Sequence, residues 1–243
     1  MAETIIGRNA VLEALKGNRE IEKITLAKGA EGSVKQIAAK ARDKHIPIYY
    51  SDKARMDKAA SGGAHQGVIA VVSDYKYCTV DDILARAAQR GEDPFIIILD
   101  GLEDPHNLGA IMRTAECAGV HGIVIPKRRS VSVTETVAKT SAGAVEYMLC
   151  AKVTNIANEI EKLKEKGVWV GACDMGPDLY YRQDLKGPIA IVIGAEGAGI
   201  SRLVKEKCDF VVSIPMKGNI TSLNASNAAS ILMYEVVRQR MYI

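Results

Sequence analysis

Short, nearly uninterrupted apolar runs separated by amphipathic stretches dominate the second half of the chain. Phe95-Ile-Ile-Ile-Leu99 and Ile189-Ala-Ile-Val-Ile193 are the clearest; they are too short to span a bilayer and suit strands buried on both faces. The spacing predicts strands over 95–100, 122–126, 149–153, 168–173, 189–194 and 210–214. Helices are predicted over 107–118, 133–141 and 155–166, with a short one from Ser201 and a closing one over 224–240. Such alternation implies a mainly parallel sheet covered on both faces, in an α/β fold whose ligands gather beyond the carboxyl ends of the strands.

The first third alternates on a smaller scale. Helical patterns at Asn9–Leu15 and Val34–Arg42 intersperse with strand patterns at Ile21–Leu26, Ile46–Tyr50 and Val68–Val72, which reads as a small α/β sandwich. Before the last strand, Ser61-Gly-Gly-Ala-His-Gln-Gly67 reads first as a tight turn and second as a backbone-exposed RNA contact. A polar connector follows, with a helix over Val80–Ala88 and a breaker at Gly91-Glu-Asp-Pro94. The expected division is a small domain over 1–75, a linker over 76–93 and a larger domain over 94–243.

Composition narrows the class. Hydrophobic residues at 48% and charged residues at 25% exclude a disordered chain and argue against a membrane protein. Met1-Ala-Glu-Thr has no basic region followed by an apolar stretch, so a cytoplasmic protein is expected. The net charge of +3 becomes informative once divided: residues 1–75 carry 12 Lys and Arg against 9 Asp and Glu, and the remainder carries 20 of each. The excess fits phosphate contact by the first third, though by itself it describes an ordinary solvated surface equally well. Five scattered cysteines with no C-x-x-C pair, and four histidines without ligand spacing, point to no metal and no disulfide framework.

The candidate chemistry lies at three strand-to-helix junctions. Asn107-Leu-Gly-Ala-Ile-Met-Arg113, Gly194-Ala-Glu-Gly-Ala-Gly199 and the stretch from Ser213 to Ser230 each put small residues and amides where backbone groups stay exposed. Three such junctions suggest one composite site. The Gly194–Gly199 junction resembles a dinucleotide turn, but Glu196 stands where glycine is needed and would repel a pyrophosphate. A ligand without phosphate, or with a cationic centre, fits better. Asn107 is expected at the cap of its helix and Arg113 nearly two turns in; Ser222-Leu-Asn-Ala-Ser226 supplies the cap of the last helix. Lys127-Arg-Arg129 is an ordinary solvated loop unless it lies near a site, where it would suit phosphate.

Asp104–Arg113, Ile193–Ile200 and Ser213–Met216 with Ser222–Ser226 closely resemble the three motifs of the SpoU (TrmH) family of RNA ribose 2′-O-methyltransferases. Ile6–Val11 and Ala64–Val68 are similar to the substrate-binding domain of its RlmB-like branch, which modifies a guanosine of large-subunit (23S) ribosomal RNA. The resemblance implies a SPOUT-type parallel sheet with a deep trefoil knot, an amino-terminal RNA-binding domain, and a cytoplasmic homodimer with no membrane association. It also implies S-adenosylmethionine held around Gly194, Ile214, Met216 and Leu223. Asn107, Arg113, Glu196, Ser222 and Asn224 match the active-site positions, and no metal is implied. Ala225 and Asn227 depart mildly, standing where relatives often carry larger apolar residues.

The implied reaction is in-line attack of a ribose 2′ oxygen on the sulfonium methyl, in which positioning supplies much of the acceleration. Family analogy makes Arg113 the base, yet a guanidinium with a pKa above about 12 accepts protons poorly. Binding the adjacent phosphate and stabilising alkoxide charge is the safer role, and His106 is an alternative base. A non-catalytic RNA-binding or ribosome-assembly protein of the same fold, and an enzyme acting on transfer RNA, are the rival readings.

Overall fold

The structure, a computed structural model, describes residues 3–17, 20–29, 31–60 and 62–241. They form two compact units, one from residues up to 76 together with 133–147, the other from 77–132 with 148 onward.

In the first unit the order is β1 (Glu3–Ile6), α1 (Arg8–Lys16), β2 (Ile21–Ala27), α2 (Ser33–Asp43), β3 (Ile48–Ser51), α3 (Lys53–Ala59) and β4 (Val68–Val72). The sheet runs β1-β4-β2-β3, with β4 antiparallel to both neighbours and β2 parallel to β3. Ile24 and Leu26 alternate inward from β2, and Val11, Leu15 and Ile37 of α1 and α2 are buried with them. On another side Met56 and Ala60 pack with Ile6 and Ile69. β1 and α3 were not predicted: β1 is a single short strand, and α3 buries only Met56, so neither shows a periodic apolar pattern. Ser61 of the Gly-rich loop lies outside the described residues.

Continuing along the chain come α4 (Val80–Arg90), β5 (Phe95–Asp100), α5 (Pro105–Cys117), β6 (Gly122–Pro126) and α6 (Glu135–Thr140), the last grouping with the first unit. Then follow β7 (Cys150–Val153), α7 (Ile156–Glu165), β8 (Trp169–Cys173), β9 (Ile189–Gly194), α8 (Arg202–Lys207), β10 (Phe210–Val212) and α9 (Ala225–Met241). The six strands of the second unit are all parallel, in the order β10-β8-β9-β5-β6-β7. Ile96 and Ile98 of β5 join the core cluster that includes Ile83 of α4, Ile160 of α7 and Val204 of α8. Ile97 and Leu99 alternate toward the opposite face, where α5 and α9 pack together. Each fully buried Ile or Leu contributes about 1.5–3 kcal/mol.

The segment expected to be a linker is therefore an integral helix. Thr79 and Asp82 close a capping box at its start, Gly91 ends it in the left-handed region at φ 66°, and Val80, Ile83 and Ala87 are buried. Residues 133–147, expected in the larger domain, group with the first unit instead. No helix among the described residues is long and apolar enough to cross a membrane.

His121 ties β5 to β6. Its backbone N–H donates to the carbonyl of Phe95 at 2.8 Å, and its Nδ1 accepts the N–H of Phe95 at 3.0 Å. Nε2 faces Glu92 at 2.9 Å, so the ring is neutral with its proton on Nε2. Burial lowers the pKa of His121 below its ordinary value, against the raising influence of Glu92, with Arg90 and Arg240 nearby lowering it further. Because the folded pKa is depressed, the unfolded chain binds the proton first. The stabilisation by neutral His121 is complete above about pH 6.5 and is lost as the pH falls toward the folded pKa. His121→Leu should lower stability by about 1–3 kcal/mol at pH 8, leaving the Phe95 N–H without a partner. Urea unfolding of the intact protein between pH 8 and 5 should show this deficit narrowing on acidification. A deficit constant across that range would rule out His121 as the titrating group.

Candidate active site

Three loops beyond the carboxyl ends of β5, β9 and β10 supply the site. At the first, Asp104 caps α5, its Oδ1 accepting the N–H of His106 at 2.9 Å with Pro105 just inside. Asn107 was expected at that cap; it sits in the first turn instead, because Asp104 and Pro105 already form the helix start. Its side chain is thereby free for other work, and it is 5% exposed.

After β9 the chain closes on itself, with Ala195 and Gly199 exchanging backbone hydrogen bonds at 3.1 and 2.9 Å. Gly194 is required by this closure: a Cβ there would stand 2.2 Å from the carbonyl carbon of Gly199. Gly197 and Gly199 adopt φ of 80° and 67°. The tight loop holds Glu196 near its tip.

At the third junction Asn224 does two things at once. Its Oδ1 caps α9, accepting the N–H of Ser226 at 2.9 Å and the Ser226 hydroxyl at 2.6 Å. Its Nδ2 donates to Glu196 Oε1 at 2.6 Å and to Asn107 Oδ1 at 2.9 Å. Asn107 Nδ2 donates to the same Glu196 oxygen at 3.0 Å. A carboxylate only accepts, so both amides present their NH2 groups to it. Asn107, Glu196 and Asn224 thus form a closed triangle drawn from all three motifs.

A cavity of about 610 Å³ opens beside the triangle. Gly194, Ile214, Met216 and Leu223 line it, as do Glu196, Ser222 and Asn224. Ser222 is exposed and lies outside the triangle's hydrogen bonds. Arg113 stands apart: it does not line the cavity, is exposed on α5, and has no hydrogen bond or ion pair to a described residue. His106 is exposed as well.

Sequence reasoning missed Cys173, the last residue of β8, and Asp174 and Met175 just after it, all of which line the same cavity. Burial alone would raise the pKa of Asp174, but Lys205 at 2.6 Å and the Met175 N–H at 2.7 Å hold it below the ordinary carboxylate value. Burial, with Asp174 adding, pushes the Cys173 thiol up to about 11, so it is no thiolate at neutral pH. The missed signal was positional, since these residues stand at the carboxyl end of a predicted strand.

In the first unit, the two segments singled out there meet each other. Arg8 donates its backbone N–H to Gln66 Oε1 at 3.2 Å and its Nε–H to the Gln66 carbonyl at 2.9 Å. His65 is buried, with Nε2 2.9 Å from Asp57 and Nδ1 accepting the Gly67 N–H at 2.9 Å.

Residues 94–234 match the model of the SpoU rRNA methylase family, and residues 4–78 match that for RNA 2′-O ribose methyltransferase substrate binding. YacO of Bacillus subtilis (strain 168), named as a TrmH-family tRNA/rRNA methyltransferase, is 49% identical over 242 residues, covering 97% of this chain and 95% of YacO. The fold is similar to that of the SpoU methyltransferase AviRb from Streptomyces viridochromogenes in complex with AdoMet, at a TM-score of 0.82 and 24% identity over 98% of this chain and 90% of AviRb. It is similar also to a solved RNA 2′-O ribose methyltransferase, at a TM-score of 0.79 and 25% identity over 98% of this chain and 88% of the other. With both family models matched in order along the chain, this protein belongs to the SpoU (TrmH) family of RNA 2′-O-ribose methyltransferases.

Proposed function

We propose that the protein methylates the 2′-hydroxyl of a ribose in RNA, using S-adenosylmethionine, and that its target is a guanosine of large-subunit (23S) ribosomal RNA. The observation that carries this reading is the Asn107–Glu196–Asn224 triangle set against the cavity lined by Gly194, Ile214, Met216 and Leu223.

The cavity fits the methyl donor chemically. Its volume is within the ordinary range for small-ligand sites, roughly 300–1,000 Å³. Ile214, Met216 and Leu223 offer apolar contact to a base, the backbone of the Gly194–Gly199 loop offers N–H and C=O groups, and Glu196 and Asp174 offer negative charge to a cationic ligand. When bound, S-adenosylmethionine supplies an electrophilic methyl on a positively charged sulfur.

Everything else falls to the chain. Asn107 and Asn224 hold the Glu196 carboxylate in one orientation, so its charge needs no reorganisation during the reaction. Arg113, without a partner among the described residues, is suited to the phosphate beside the reacting ribose and to the developing alkoxide charge. A guanidinium is a poor proton acceptor, which weighs against a role as the base. Ser222 places a hydroxyl on the cavity wall, where it can bond substrate. The first unit, where Arg8 and Gln66 interlock, is assigned to RNA recruitment, in line with the substrate-binding model matched there.

The reading extends to a homodimer in the cytoplasm. Exposed Tyr234 and Met241 on α9 are available to a second copy. It extends also to a deep trefoil knot, in keeping with the tight return at Gly194–Gly199 and the pairing of Ser213 with Leu179. Transfer RNA is the alternative substrate, favoured by the joint tRNA/rRNA designation of YacO.

Arg113→Ala should reduce methyl transfer by about 10²–10³ while leaving the calorimetric affinity for S-adenosylmethionine within twofold. Arg113→Lys should rescue poorly, since an ammonium cannot reproduce a planar donor fork. Near-normal turnover by the Lys variant would reduce the role to simple charge.

Asn224→Asp keeps an oxygen to cap α9 but sets a second carboxylate against Glu196. At neutral pH this variant should transfer methyl at least tenfold more slowly, with partial recovery toward pH 5 as the pair takes up a proton. Unchanged activity at pH 7.5 would show that the triangle is dispensable.

Mass-spectrometric mapping of 2′-O-methyl ribose, with the gene present, deleted and restored, should reveal one guanosine of large-subunit ribosomal RNA that loses its methyl. A loss confined to transfer RNA would transfer the assignment to that substrate.

A further inference from the structure

Another cavity, of about 400 Å³, lies at the carboxyl end of β7, on the sheet edge opposite β10. Lys127, Lys152, Lys162 and Lys166 line it, against the carboxylates of Asp81 and Glu159. Two of these lysines are neutralised in place: Lys166 pairs with Asp81, and Lys162 with Glu159 at 3.1 Å.

The other two are not. The Lys152 ammonium donates to Ser132 Oγ at 2.8 Å and lies 4.1 Å from the centre of the Tyr77 ring. Both partners are uncharged, so they aim the ammonium without cancelling its charge. Lys127 is exposed, and its side chain has no partner among the described residues. The lining therefore keeps two uncompensated positive charges. The start of α7, capped by Asn155, adds a partial charge of the same sign.

The complement of this lining is an anion, and ammonium groups act on phosphate as point charges without the planar match that carboxylate recognition prefers. The location says which phosphate. In the sheet β9, β5, β6 and β7 are consecutive. At about 4.8 Å per strand the cavity lies roughly 15 Å from the strand end that carries Glu196. Lys127, Arg128 and Arg129, all exposed, follow the intervening β6.

We propose that this cavity is a further RNA contact within the catalytic unit, in which Lys127 and Lys152 seat one backbone phosphate of the substrate strand as it leaves the methylated ribose. The proposal rests on the function proposed above and adds a fixed anchor beyond the first unit. It requires no covalent step.

The test is RNA binding by the intact protein over 50–200 mM salt, using a large-subunit ribosomal RNA transcript that the wild type methylates. For a single strand each neutralised phosphate contributes about 0.7 to the slope of log affinity against log salt. The double variant Lys127→Gln/Lys152→Gln should lose about 0.7 of that slope, so the wild-type advantage shrinks roughly threefold between 50 and 200 mM salt. Lys127→Gln alone, which breaks no internal contact, should lower the slope in the same direction and guards against misfolding of the double variant. Lys186→Gln/Lys207→Gln makes the same change in net charge outside the cavity and should leave the slope unchanged. S-adenosylmethionine affinity should be equal in all of them. Equal slopes in the wild type and the cavity variants, with methyl transfer intact, would overturn the anchor and leave the proposed function standing. A wild type that neither binds nor methylates RNA would overturn both. Loss of inorganic phosphate binding by the double variant with an unchanged RNA slope would assign the cavity to small free phosphates and overturn the RNA role.

Discussion

A carboxylate carries no hydrogen and can only accept, and the two donors that meet the exposed Glu196 carboxylate come from asparagines on other segments of the chain. Asn107 sits at the start of α5 and Asn224 at the start of α9, and each is held by its own helix before it reaches the carboxylate. Satisfying one acceptor therefore pins three loops to one another. Were the donors serines or lysines, the same charge could be met by many geometries. With amides fixed at one end by helix starts, only one arrangement satisfies all three side chains, and the cavity wall inherits that order.

The loop bearing Glu196 depends in turn on a backbone contact that no side chain could make. Gly194 lies so close to Gly199 and Ile200 that even a methyl group would collide with main-chain atoms, which cannot swing aside. Ser201 extends the same logic by donating its backbone N–H to Asp100 at the end of β5. Two neighbouring strands, β5 and β9, thus fix both ends of the loop, and their registered pairing from Phe95 with Ile189 to Asp100 with Gly194 carries that rigidity down into the core.

Much of this architecture was legible in the residues. The apolar runs of β5 and β9 suited buried strands, and the parallel sheet followed from their alternation with helices. Legibility failed where burial is slight or the cause is non-local. β1 and α3 have too few inward residues to set a period. The helix at 80–90 is legible as a helix but not as part of the larger unit, because three buried residues, Val80, Ile83 and Ala87, do not say which sheet they cover. At the site, small-residue motifs announced the three loops, yet the role of Asn107 as donor in place of cap depended on Asp104 and Pro105 taking the cap first. Asp174 was silent because one acidic residue after a strand has no local signature, and only the fold brings it to the cavity that Ile214 and Leu223 also line.

The carboxyl edge of the sheet is also divided by sign of charge, which follows from strand order and from no single motif. Acids gather beyond β8 and β9, where Asp174 and Glu196 face the larger cavity. Bases gather at the ends of β6 and β7, as Lys127, Arg128, Arg129 and Lys152, whereas the end of β5 and the turn after it carry Asp100, Glu103 and Asp104. Under the function proposed above, a cationic methyl donor and a polyanionic acceptor would meet opposite ends of that polarised edge. Methyl transfer takes its nucleophile from the ribose and not from the protein, and the raised pKa of Cys173 is consistent with that. In this reading the specificity of the reaction resides in the spacing between the Glu196 triangle and the basic edge, a distance set by the hydrogen-bonded ladder of parallel strands.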